Sequence, residues 1–92
     1  MNKRIEATVY GRVQGVSFRY YTQKEAFRLN LTGWVANDSD GSVRVIAEGP
    51  EESLKKLVDF LYIGSPSASV EKVITSWASA TNEFDKFSVR WL

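Results

Sequence analysis

Hydrophobic and polar residues alternate along this chain with two different periods. Residues 5–10 alternate with a period of two, as in a half-buried strand, and residues 32–37, 42–48, 70–77 and 87–91 have similar strand-like patterns. Between these segments, two stretches have mostly apolar residues at helical spacing. The first stretch contains Phe18, Thr22, Ala26 and Leu29, and the second contains Leu54, Leu57, Val58 and Leu61. The pattern predicts the order β-α-β-β-α-β, with a final region that can divide into two strands.

Turn-forming residues mark the ends of the predicted elements. Residues 11–17 contain two glycines and are predicted to form a loop. Asn30 should end the first helix, because Asn tolerates the left-handed conformation that follows many helices. The Asp-Ser-Asp-Gly sequence at 38–41 predicts a hairpin turn. Pro50 and the two acidic residues after it suit the first turn of the second helix, which residues 64–66 close.

This order of elements indicates a ferredoxin-like βαββαβ sandwich, which is an α+β fold. It predicts an antiparallel sheet with two helices on one face. Chain direction then places the loop before the first helix and the hairpin after the second strand at the same end of the sheet. Arg19, at the start of the helix, and Asn37, at the end of the strand, are therefore expected to lie at one end of the fold.

Length and composition narrow the possible chemistry. The chain has 92 residues, 43% of them hydrophobic, and we expect one domain over residues 1–92. It contains no Cys and no His. These absences exclude a disulfide framework, a thiolate nucleophile, a Ser-His-Asp triad and an imidazole acting as general acid or base. An enzyme of this composition must act on a substrate that needs none of them.

The charge balance argues against several kinds of partner. The chain has twelve basic and eleven acidic residues, which gives a formal net charge of +1. A nucleic-acid-binding domain usually carries a clustered basic excess, so we expect no nucleic-acid partner. No apolar stretch approaches the ~20 residues that span a bilayer, and the first residues lack the apolar segment of a signal peptide. We therefore expect a cytoplasmic monomer with no membrane partner.

The loop before the first helix is a candidate anion site. Gly11 and Gly15 would let the backbone bend and approach a ligand, and the unpaired N–H groups that begin a helix favour anions. Arg19 could add a planar fork of donors. From pattern alone, however, a plain turn ranks ahead of an anion site, and Asn37 ranks as a turn residue. The three tryptophans rank as core or sheet-face residues rather than as a stacking platform; they are Trp34, Trp77 and Trp91.

Two motifs favour an anion site over these simpler interpretations. Residues 10–19, Tyr-Gly-Arg-Val-Gln-Gly-Val-Ser-Phe-Arg, resemble the first acylphosphatase signature, Gly-x-Val-Gln-Gly-Val-x-Phe-Arg. Residues 33–43, Gly-Trp-Val-Ala-Asn-Asp-Ser-Asp-Gly-Ser-Val, resemble the second signature, Gly-Trp/Tyr-Val-x-Asn-x-x-Asp-Gly-x-Val. A looser likeness continues through residues 64–73 and 87–90. Departures are few: Ser17 stands where Gly or Cys is frequent, Asn30 stands where Gly is common, and Asp38 adds a negative charge beside Asn37.

The resemblance implies hydrolysis of acyl phosphates, small-molecule substrates, to a carboxylate and inorganic phosphate. It implies that Arg19 binds the phosphoryl group and that Asn37 holds the attacking water. The backbone amides of the preceding loop would share phosphate binding, and the residues concerned are Gln14, Gly15, Val16, Ser17 and Phe18. It further implies a reaction with no metal, no cofactor and no phosphoenzyme intermediate.

Two other classes of protein compete with this interpretation. A non-catalytic ferredoxin-like module that binds a small anion for regulation would keep Arg19 and the glycines but would not need Asn37. An RNA-binding domain can share the topology, but the RNP1 pattern is absent and the charge balance opposes it.

Overall fold

The computed structural model describes residues 2–92. This part of the chain contains two helices and five strands. In chain order they are β1 (Asn2–Arg12), α1 (Phe18–Arg28), β2 (Thr32–Asn37), β3 (Val43–Pro50), α2 (Glu51–Ile63), β4 (Ser69–Ser79) and β5 (Phe87–Trp91). The strands form a single sheet in the order β4-β1-β3-β2-β5. The final region is therefore divided into two strands, which lie at opposite edges of the sheet.

The predicted ferredoxin-like α+β fold is confirmed. The helices contact each other and the sheet. Strand pairs β1–β3, β1–β4 and β2–β3 are antiparallel, as expected, but β2 and β5 pair in parallel. The sheet is thus mixed rather than wholly antiparallel. The reason is topological: β5 reaches the far edge through a connection that crosses the sheet, so it enters in the same direction as β2.

The core lies between the sheet and the helices. On the central strands the predicted alternation is confirmed, and Ile5, Ala7 and Val9 of β1 are buried. The predicted helix faces are also confirmed, since Phe18, Thr22 and Ala26 of α1 and Leu54, Leu57 and Leu61 of α2 are buried. Neither helix within residues 2–92 has the length and apolar character needed to cross a membrane.

Gly11 has a different role from the one predicted for it. Strand β1 continues to Arg12, so Gly11 lies in the strand rather than in the following loop. A bulge between Tyr10 and Gly11 shifts the register against β4. A Cβ at Gly11 would lie 2.3 Å from the carbonyl oxygen of Ser69, and its φ is +128°. Close backbone packing at a bulge, rather than approach to a ligand, therefore requires this glycine.

The connection from β4 to β5 is held against the sheet by one buried carboxylate. Glu48 is 3% exposed and accepts hydrogen bonds from the N–H of Thr81 at 2.9 Å and of Asn82 at 2.9 Å. Arg4 Nη1 donates to the same carboxylate at 3.0 Å. Burial alone would raise the pKa of Glu48, but the Thr81 amide, Arg4 and the Asn82 amide outweigh it and hold the pKa at about 2.

Replacing Glu48 with glutamine should destabilise the fold in a pH-dependent way. The wild-type carboxylate is most stabilising above its ordinary pKa of 4.5, and this stabilisation is lost as pH falls toward about 2. Glu48→Gln should lower the free energy of unfolding by about 3 kcal/mol at pH 7. The measurement is urea denaturation at pH 7 and pH 3, with Glu6→Gln as control because Glu6 is an exposed partner of Arg4. An equal loss at both pH values would contradict this role.

Candidate active site

The loop between β1 and α1 is joined directly to the β2–β3 hairpin. Gln14 Nε2 donates to the carbonyl oxygen of Asp38 at 2.7 Å and to that of Ser42 at 2.9 Å. The expectation that the loop and the hairpin lie at one end of the sheet is therefore confirmed. The Gln14 side chain is occupied by these two bonds, so only its backbone N–H is available to a ligand.

The loop backbone has a strained conformation and unpaired donors. Gly15 has a φ of +73° and Ser17 a φ of +62°, both in the left-handed region. Ser17 precedes the first residue of α1, but its hydroxyl forms no capping hydrogen bond. Within residues 2–92, the N–H groups of residues 14–20 have no backbone acceptor; the first such bond of the helix runs from Tyr21 to the Ser17 carbonyl. The loop thus offers a row of free donors at a helix N-terminus, where anions are favoured.

Two residues of the loop anchor it to the core. Phe18 is 1% exposed, so its side chain is part of the core and only its backbone faces the loop. The carbonyl oxygen of Val16 accepts a hydrogen bond of 2.6 Å from the hydroxyl of Ser65, which is itself buried. These contacts fix the loop conformation before any ligand arrives, which reduces the ordering cost of binding.

Arg19 has a buried donor without an acceptor. Its Nη1 atom is buried and has no hydrogen-bond partner among the described residues, which include no acid ion-paired with it. One face of the guanidinium is covered by Trp91, whose ring centroid lies 4.6 Å from Cζ. Such stacking contributes about 0.5–1 kcal/mol at an exposed site and restricts the orientation of the guanidinium. Buried side-chain donors usually have a partner, so this one is available to the acceptor atom of a ligand.

Asn37 ends β2 on the face of the sheet that the helices cover. It pairs with Val43 of β3 and, in the parallel register, with Trp91 of β5. Its Oδ1 atom is buried and has no hydrogen-bond partner within residues 2–92. Trp91, the strand neighbour of Asn37, also stacks on Arg19, so the two polar residues share one neighbour. The site therefore holds an unpaired donor and an unpaired acceptor.

A cleft of about 450 Å³ brings these groups together. It is lined by residues of the loop, of α1, of β2 and of β5: Val13, Gly15, Ser17, Phe18, Arg19, Tyr20, Gln23, Asn37 and Val89. No acidic side chain is among these lining residues, and Arg19 supplies the positive charge. The arrangement is suited to a small oxyanion, since it combines a guanidinium with free backbone donors.

The acidic residues of the adjacent hairpin turn have partners of their own. Asp38 accepts a hydrogen bond from the N–H of Ser39 at 2.7 Å and lies 3.9 Å from Arg44 Nη1. Hydrogen bonds from the hydroxyl and the N–H of Ser42 lower the pKa of Asp40. Residues 2–92 contain no group of three or more Asp or Glu side chains placed to hold a metal ion.

The structure brings together the residues singled out in the sequence and adds others. Arg19, Asn37, Gly15, Ser17 and Phe18 line one cleft, whereas Gln14 and Val16 support the loop beside it. Sequence reasoning missed Trp91, which is 83% exposed and stacks on Arg19 rather than lying in the core. It also missed Tyr20 and Gln23. Only the parallel pairing of β2 with β5, which alternation does not reveal, could have identified Trp91.

Comparison with known proteins relates both motifs to one family. The family model described as Acylphosphatase matches residues 5–89. A protein of Salinibacter ruber named Acylphosphatase is 49% identical over 96% of this chain and 93% of its own length. One of Mycolicibacterium smegmatis with the same name is 44% identical over 95% and 89%. The crystal structure of acylphosphatase from Bacillus subtilis superposes with a TM-score of 0.93 at 39% identity, covering 96% of this chain and 98% of that one.

Proposed function

This chain belongs to the acylphosphatase family, and on that premise we propose that it hydrolyses acyl phosphates to a carboxylate and inorganic phosphate. One observation supports the assignment of this reaction to particular residues. An unpaired buried donor, Arg19 Nη1, and an unpaired buried acceptor, Asn37 Oδ1, belong to residues that line the same cleft. The first suits a phosphoryl oxygen and the second suits a water molecule, and hydrolysis needs both.

Arg19 and the loop amides bind the phosphoryl group in this proposal. Phosphoryl transfer commonly passes through a loose transition state with charge spread over the phosphoryl oxygens, so catalysis is mostly positioning and electrostatic stabilisation. The guanidinium and the free N–H groups of residues 14–20 supply fixed donors for that charge. Stacking on Trp91 keeps the guanidinium oriented, which lowers the reorganisation required when the substrate arrives.

Asn37 positions the attacking water. Its Oδ1 accepts a hydrogen bond from the water and holds the oxygen toward phosphorus. An amide does not act as a base near neutral pH, so the proton of the water goes to a phosphoryl oxygen of the substrate. The P–O bond to the acyl group breaks as the new P–O bond forms. The products are a carboxylate and inorganic phosphate, without a phosphoenzyme intermediate.

The leaving group explains why this site needs no histidine or cysteine. An acyl phosphate is a mixed anhydride, and the acid of its leaving group has a pKa of about 4, like an Asp or Glu side chain. The carboxylate therefore departs without being protonated, and no general acid is required. A simple phosphate ester has an alkoxide leaving group and should be a poor substrate. In this proposal the positive charge comes from Arg19 and the loop amides, so no metal is needed.

Hydrolysis of benzoyl phosphate, followed by absorbance with and without EDTA, tests the proposal. We expect equal turnover in both conditions and no measurable turnover of benzyl phosphate, an ester of similar size. Turnover that disappears with EDTA would contradict the metal-free mechanism. Binding of inorganic phosphate without hydrolysis of benzoyl phosphate would contradict the proposed activity and favour the non-catalytic anion-binding module.

A further inference from the structure

A second cavity lies beside the candidate active site, along α1. It has a volume of about 400 Å³ and is lined by residues of α1 and of the start of β5: Tyr20, Gln23, Lys24, Phe27, Lys86 and Phe87. Tyr20 and Gln23 line this cavity and the cleft that contains Arg19 and Asn37. The two cavities therefore adjoin at Tyr20 and Gln23, and we call the second one the acyl groove.

Two of the aromatic residues that line the acyl groove lie outside the core. Tyr20 is 58% exposed and Phe27 is 75% exposed, although aromatic residues of this size are usually buried. Phe87 is 4% exposed and belongs to the core as well as to the groove. Gln23 lies where the two cavities adjoin, and its Nε2 donates a hydrogen bond of 3.3 Å to the carbonyl oxygen of Phe87. The groove is thus lined by three aromatic side chains together with Gln23 and two lysines.

The charges around the groove match an anionic substrate that enters from this side. Lys24 and Lys86 line it, and neither forms an ion pair with an acidic residue within residues 2–92. No acidic side chain is among the lining residues of either cavity. A substrate with a phosphoryl group at one end and an apolar chain at the other therefore meets no negatively charged side chain that would repel its phosphoryl group.

We propose that the acyl groove binds the acyl chain of the substrate and selects acyl phosphates with an extended apolar chain. This inference rests on the proposed function, since the phosphoryl group must lie at Arg19 for the chain to enter the groove. Tyr20 lines both cavities and Arg19 lines the first, so the groove begins beside the residue that binds the phosphoryl group in this proposal. From Tyr20 to Phe27 the helix rises about 10 Å, a span comparable with an extended eight-carbon chain.

Chain-length dependence of kcat/KM tests the groove. The substrates are acetyl phosphate, which ends before the groove, and octanoyl phosphate, which reaches Phe27. We expect kcat/KM for octanoyl phosphate to exceed that for acetyl phosphate by at least about tenfold, since burial of about two methylene groups is sufficient for a tenfold difference. Equal values for the two substrates would overturn the proposal.

Phe27→Ala locates the effect within the groove. Phe27 is largely exposed, so the variant should fold, and we expect the octanoyl-to-acetyl ratio of kcat/KM to fall about fivefold. Phe27→Leu, which keeps an apolar wall, should retain most of the ratio. The matched control is Ile63→Ala on α2, where the side chain is 73% exposed and outside both cavities. An unchanged ratio in Phe27→Ala, or an equal fall in Ile63→Ala, would overturn the proposal.

Binding of non-hydrolysable analogues separates this inference from the proposed activity. Titration calorimetry with octanoylphosphonate and acetylphosphonate measures the groove without turnover. A lower Kd for octanoylphosphonate that Phe27→Ala abolishes would support the groove even if no acyl phosphate were hydrolysed. Equal Kd values for the two analogues, together with normal hydrolysis of benzoyl phosphate, would overturn the groove and leave the proposed activity standing.

Discussion

Arg19→Gln should lower kcat/KM for benzoyl phosphate by at least about 10³-fold and abolish measurable binding of inorganic phosphate. Arg19 supplies the only side-chain charge among the residues lining the catalytic cleft, and its Nη1 is buried without another acceptor. Glutamine is shorter, uncharged and unable to form the two-pronged contact of a guanidinium with phosphoryl oxygens. The measurements are steady-state hydrolysis of benzoyl phosphate and calorimetric titration with phosphate.

The matched control for this variant lies on the same helix. Arg28 occupies the last turn of α1, has a 64% exposed side chain and pairs only with Glu25 among the described residues. Arg28→Gln removes the same charge from the protein, so it should leave phosphate binding and turnover close to wild type. If Arg19→Gln retained wild-type phosphate affinity, the assignment of the phosphoryl site to Arg19 would be wrong.

Asn37→Ala should lower kcat by about 10²–10³-fold with little change in phosphate affinity. The Oδ1 atom is the unpaired acceptor that we assign to the attacking water, whereas Arg19 and the loop donors remain in place. Alanine leaves the water without a fixed position but removes no charge. Initial rates with saturating benzoyl phosphate measure the effect, and circular dichroism checks that the fold is retained.

Ser39→Ala is the matched control for Asn37→Ala. Ser39 lies two residues further along the same hairpin, is exposed and is not among the residues lining the cleft. Its removal should leave both kcat and phosphate affinity near the wild-type values. A similar loss of kcat in both variants would assign the effect to the shape of the hairpin rather than to the Asn37 amide.

Much of the fold could be predicted because it follows from local patterns. Alternation and turn chemistry located β2 at residues 32–37, and the left-handed conformation expected of Asn30 is present, with a φ of +57°. The juxtaposition of Arg19 and Asn37 followed from chain direction alone, since both predicted positions lay at one end of the sheet. Topology therefore predicted that Arg19 and Asn37 lie at one end of the fold, and the resemblance of two motifs singled them out as site residues.

The remaining features depend on contacts between distant parts of the chain. A period of two tells which face a residue occupies but not which strand lies beside it, so the parallel pairing of β5 with β2 and the position of Trp91 beside Arg19 were not predictable. The anchoring of the loop by Gln14 depends on carbonyl groups of the hairpin. The hydrogen bonds of Glu48 depend on the β4–β5 connection, which places the Thr81 N–H beside its carboxylate.

In the proposed mechanism, Arg19 binds the phosphoryl group and Asn37 places the water. Its most direct test is the phosphate Kd of Asn37→Ala measured beside its kcat for benzoyl phosphate. We expect a Kd within about twofold of wild type and a kcat lowered by at least about 10²-fold. Full turnover by Asn37→Ala, or a loss of phosphate affinity as large as that of Arg19→Gln, would contradict it.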